Sequence, residues 1–83
     1  MTFDEFKDAC KEEIEGEMQF CDMADKAQFE EISGRIQGMV FAAKQFLPIR
    51  YTSNLDQLEK ELKHMARAAR REASRKAAET ATQ

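Results

Sequence analysis

Proline occurs once in this 83-residue chain, glycine three times and tryptophan not at all, so little in the sequence forces regular structure to break. Val, Ile and Thr are few, whereas Ala, Glu, Lys, Gln and Met are common; that balance favours helix nearly everywhere and leaves no strand candidate. No run of about 18 apolar residues is present, which argues against a membrane-spanning helix. The opening Met1-Thr2-Phe3-Asp4-Glu5-Phe6 has neither the basic start nor the apolar middle of a secretory signal. Both absences predict an intracellular protein with no membrane partner.

Residue types that carry most enzyme chemistry are equally thin. His64 is the only histidine, sits between Lys63 and Met65, and has no Cys or His at zinc-like spacing. No Glu-x-x-His pair and no calcium-loop spacing of acids around a glycine occurs. Gly34 and Gly38 lack the lysine and the strand-to-helix setting of a phosphate loop. Cys10 and Cys21 form no CxxC pair; on one continuous helix they would lie about 16 Å apart, too far for a disulfide. They read as small buried hydrophobes. No catalytic, cofactor-binding or metal residue is assigned, and the chain is expected not to be an enzyme.

What the sequence does contain is amphipathic helix. Charged residues make up 35% and hydrophobic residues 42%, and a chain this short supports one small domain burying only about 60% of its unfolded surface. Thr2 and Glu5 have capping-box spacing, and Phe3, Phe6, Cys10, Ile14, Met18 and Cys21 then mark an apolar stripe. The spacing predicts a first helix over about 2–21. Asp25 with Gln28 repeats the cap spacing and starts a second helix over about 25–47. A single helix from Thr2 to Leu47 is the alternative, since no Pro or Gly separates Cys21 from Asp25.

The second helix carries two surfaces. Phe29, Ile32, Ile36, Met39, Val40, Ala43, Phe46 and Leu47 recur at steps of three and four and form an apolar seam, the expected core of an antiparallel hairpin. Gly34, Gly38 and Ala42 recur every fourth residue on the opposite side, where with Phe41 they would admit another helix closely. Helix two is therefore expected to be sandwiched between neighbours. Pro48 ends it, and 48–53 reads as a connector. Ser53 or Asn54 would cap a third helix over about 54–77, in which Leu55, Leu58, Leu62 and Met65 form a heptad seam offered to a partner or to a second copy. Beyond Ala69 the apolar positions shrink to alanine, and 77–83 is expected to fray. The fold class is all-α.

Charge is segregated. Residues 1–31 hold eleven acids against three bases, while residues 60–76 hold seven bases against two acids, in a chain of net charge −3. The third helix can satisfy this by folding back on the first, by self-association, or by meeting an anionic partner through Lys63, Arg67, Arg70, Arg71 and Arg75. Nucleic acid is one such partner, although neither a helix-turn-helix pattern nor an aromatic platform accompanies the bases.

Over roughly residues 12–47 the chain resembles small helical proteins encoded near the terminase, portal and capsid genes of tailed bacteriophages. The shared pattern is an acid-rich first helix, then Asp25-x-Ala27-x-Phe29, then Gly34-x-Ile36-x-Gly38-Met39. A leucine is more usual in that group where this chain has Met39, and the part from Pro48 onward departs from it. The resemblance implies a virion or morphogenesis accessory without enzymatic activity, attached to the head, portal or neck, located in the virion or host cytoplasm. Two other roles fit the charges: an inhibitor of a host defence or host enzyme acting through the acidic helix, and a DNA-associated accessory acting through the basic one.

Overall fold

The computed structural model describes residues 2–81. It contains three α-helices and, among the described residues, no strand: α1 (Phe3–Gln19), α2 (Lys26–Phe46) and α3 (Thr52–Ala81). Thr2 caps α1, its Oγ1 accepting the Glu5 backbone N–H at 3.2 Å. Asp25 caps α2 in the same way, accepting the Gln28 N–H at 3.2 Å. The Gln28 side chain does not close the box on Asp25. Its Oε1 instead accepts the Asp22 N–H at 2.7 Å, while Asp22 Oδ1 accepts the Ala24 N–H at 3.0 Å. Three polar side chains thus turn the chain between α1 and α2 without proline, glycine or a positive φ, and the single-helix alternative is excluded.

Leu47 leaves α2 with extended dihedrals ahead of Pro48, as the proline dictates. The connector differs from expectation. Ile49–Tyr51 form a 3-10 turn, and the Thr52 hydroxyl donates to the Ile49 carbonyl at 2.8 Å, so the chain runs directly into α3 at Thr52. Neither Ser53 nor Asn54 is needed as a cap, because the 3-10 turn already winds the backbone helically.

The core is formed by Cys10 and Ile14 of α1, Met23 of the turn, Ile32, Ile36, Val40 and Ala43 of α2, and Leu55, Leu58, Leu62 and Ala66 of α3. Its most extensive interface joins α2 to α3. This corrects one expectation. Leu55, Leu58 and Leu62 are buried within their own chain and offer nothing to a partner, and Met65 is half-buried beside them. Two helices alone would bury too little: α1 contributes only Cys10 and Ile14 fully, and each large apolar side chain buried adds about 1.5–3 kcal/mol. The heptad leucines of α3 supply the rest, so the expected antiparallel hairpin of α1 and α2 is completed by the third helix as an up-down-up bundle.

The sandwich around α2 is also not formed within the chain. Both α1 and α3 grip its apolar side; Gly34 and Gly38 face outward with nothing among the described residues across them, and Ala42 is exposed at the edge of the α1–α2 groove. Phe46 is a further correction. It is 87% exposed, because ten residues on from Ile36 it has turned about 80° off the seam.

At its far end α3 outruns the bundle. No residue beyond Ala73 is even half-buried up to Thr80, yet the helix continues to Ala81, with Arg75 paired to Glu72 at 2.6 Å and to Glu79 at 2.7 Å. The helix thus runs past Ala77, where the tail is expected to fray, and the part of that expectation on Thr82 and Gln83 lies outside the described residues. The molecule measures 52 × 20 × 19 Å.

Candidate interaction surfaces

Among the described residues, four large hydrophobic side chains lie on the surface: Phe20, Phe41, Phe46 and Ile49. Phe46 borders an open groove of about 350 Å³ between α1 and α2. Its walls follow from sequence spacing. Phe6, Ala9 and Glu13 on α1 and Met39, Ala42 and Phe46 on α2 each recur at steps of three and four, so two strips beside the main seam face each other across the antiparallel pair. Cys10, Ala43 and Leu47 form the floor. Sequence reasoning missed Ala9 as part of a surface, although its position three after Phe6 and four before Glu13 is the signal that would have found it.

The outer face of α2 presents Gly34, Gly38, Phe41 and Ala42 together. Phe41 is 67% exposed, and a Cβ built on either glycine would meet nothing within 4 Å. Ala42 belongs to both this face and the groove, so the two apolar surfaces are continuous around α2.

The five bases proposed for an anionic partner do not act together. Arg70 lies with its guanidinium 5.0 Å over the Phe29 ring and donates to the Met23 carbonyl at 3.4 Å, a structural role tying α3 to the turn and α2. Arg75 is held by Glu72 and Glu79, and Lys63 lies 4.0 Å from Glu59. Arg67 and Arg71 are exposed with no ion pair among the described residues, and Lys60 joins them seven and eleven residues earlier on the same side.

Ion pairs between helices lie around the core. Arg35 of α2 reaches Glu13 and Glu17 of α1, Lys44 of α2 reaches Asp56 of α3 at 2.6 Å, and Lys11 of α1 reaches Glu61 of α3 at 3.2 Å. The α1–α3 pair thus joins a base of the acidic helix to an acid of the basic one. Lys11 and, at longer range, Lys7 hold the Glu61 carboxyl below its ordinary value.

No protein family, curated protein or solved structure matches the chain. Among the described residues, no helix is long and apolar enough to cross a membrane, and no group of three or more His, Cys, Asp or Glu side chains could hold a metal ion. His64 is exposed. Cys10 is buried and unbridged, and burial first, then the charge of Glu13, pushes its thiol pKa up, which keeps it protonated and a poor nucleophile. Phe3 stacks on Tyr51 at 5.4 Å with their planes 4° apart, closing the bundle end beside the groove. Tyr51 sits in a stretch that reads as connector, and only its aromatic character after Pro48 hinted at packing.

Proposed function

We propose that this chain is a non-enzymatic interaction protein that docks on a larger assembly through helix-to-helix contact along the outer side of α2. One observation carries the reading: Phe46 stands 87% exposed beside an apolar groove that continues through Ala42 to Phe41, Gly38 and Gly34. Contiguous exposed apolar surface on a small bundle marks a place where another protein belongs. Glycines on that path let a second backbone come near, and Phe41 and Phe46 supply the bulky anchors that dominate interface energetics. The resemblance of residues 12–47 to small proteins of tailed-phage structural gene clusters supports a particle or a morphogenetic complex as the assembly.

The test separates fold from contact. Phe46→Ala and Gly38→Leu are each compared with the parent chain for helicity by circular dichroism and for co-sedimentation with phage particles and self-association by analytical ultracentrifugation. Retained helicity with lost association is expected for both. A parent chain that stays monomeric and particle-free, or variants that associate as the parent does, would sink the reading.

A further inference from the structure

The minority charges of α1 and α3 are matched by opposite charges of this chain, and part of the majority charge is left without an ion pair among the described residues. Both lysines of α1, Lys7 and Lys11, act on Glu61, and Lys11 forms the ion pair. Asp56, Glu59, Glu61 and Glu72 of α3 all have basic partners, and Glu79 is held by Arg75. What remains on the outer side of α3 is Lys60, His64, Arg67 and Arg71, at steps of four, three and four, all exposed and without an ion pair among the described residues. This ridge is about 16 Å long. The outer side of α1 presents Glu5, Asp8, Glu12 and Glu15 at steps of three, four and three, also exposed and without an ion pair among the described residues, over about 15 Å.

We infer that the basic ridge of α3 is a docking surface for the α1 ridge of a second copy of this chain. The two ridges match in length, are opposite in sign and follow the same 3.5-residue repeat, so one helix can lie along the other with charges in register. No ion pair joins the two ridges within a chain among the described residues, which leaves the match open to a second copy. A duplex nucleic acid is the weaker occupant: only three fixed positive charges face it, and the chain's net charge of −3 opposes its approach. Exposed ion pairs are individually weak, so the contact sets orientation and register and is sensitive to salt. It involves different faces from the α2 contact proposed above, which rests on apolar surface and persists in high salt.

Sedimentation velocity on the full chain at low salt and in about 0.5 M sodium chloride tests this. The parent is expected to self-associate at low salt, with the charge-dependent part of that association abolished at high salt. Reversing the basic ridge with Lys60→Glu, Arg67→Glu and Arg71→Glu, or the acidic ridge with Asp8→Lys, Glu12→Lys and Glu15→Lys, is expected to abolish that part. Combining all six reversals leaves net charge unchanged and is expected to restore it. Circular dichroism identifies any variant that fails to fold; glutamine at the same positions then replaces the reversal and is expected to weaken association in the same direction. Association insensitive to salt, failure of the six-fold variant to recover, or a parent that binds an oligonucleotide duplex without self-associating overturns the inference. Phe46→Ala read in high salt reports separately on the α2 contact.

Discussion

The guanidinium of Arg70 lies over the ring of Phe29 at 5.0 Å while one of its nitrogens donates to the backbone carbonyl of Met23. One side chain of α3 therefore fastens both the first turns of α2 and the connection before it. Arg70→Ala is expected to lower stability by about 1–2 kcal/mol, combining a partly desolvated cation–π contact with a charge-assisted hydrogen bond. Arg70→Lys should recover little, because an ammonium lacks the flat face that stacks on the ring. Urea denaturation of both variants checks this, and a lysine variant as stable as the parent would contradict it.

Stability should fall in acid partly through Glu61. Its folded pKa lies below the ordinary value because of Lys11 first, so its stabilisation is present above that ordinary value and is lost as pH falls through the folded one. Glu72, held down by Arg75, behaves the same way. Glu61→Gln is expected to remove part of the loss of stability on the acid side of about pH 4 while leaving the neutral-to-alkaline side parallel to the parent. Thermal unfolding across that range checks the shape of the curve. An unchanged acid limb would remove Glu61 from the account.

Gly34 and Gly38 cost the isolated chain stability. Neither has a positive φ and neither has a neighbour within 4 Å of a built Cβ, so alanine fits both. Gly34→Ala and Gly38→Ala should each raise stability by about 0.5–1 kcal/mol through helix propensity alone. A lower melting temperature in dilute solution would mean that the outward face of α2 is misassigned.

Leu62 is fully buried between the other two helices, and Leu62→Ala is expected to cost about 2–5 kcal/mol. That is comparable with the whole stability of a domain this small. Urea unfolding should show a collapsed or absent transition for Leu62→Ala and an ordinary one for Ala78→Ser on the projecting end of α3. Equal effects at both positions would be incompatible with the bundle.

Helix number, the break before Asp25 and the stop at Leu47 were legible in the sequence because each has a local cause: a capping side chain or a proline. The seam of α2 was legible as well, since Ile32, Ile36, Val40 and Ala43 keep helical period. What local pattern could not give was the destination of α3. A heptad of leucines reads alike whether it meets its own chain or another, and only the hydrophobic deficit of an α1–α2 pair decides for the former. Phe46 was misplaced because it lies at the edge of the stripe, where ten residues of helical drift carry it off the seam. Arg70 and Arg75 were grouped with Arg67 and Arg71 by spacing, but their partners Phe29, Glu72 and Glu79 set them apart.

The extra length of α3 has a mechanical consequence. Residues 74–80 are all exposed, and a segment so short would not hold its winding in isolation; here it needs no nucleus of its own, because the turns before it are already fixed by the bundle. It forms a stiff spar about 10 Å long, and a body attached to its tip would be held clear of the other two helices and would swing only when the entire molecule turns.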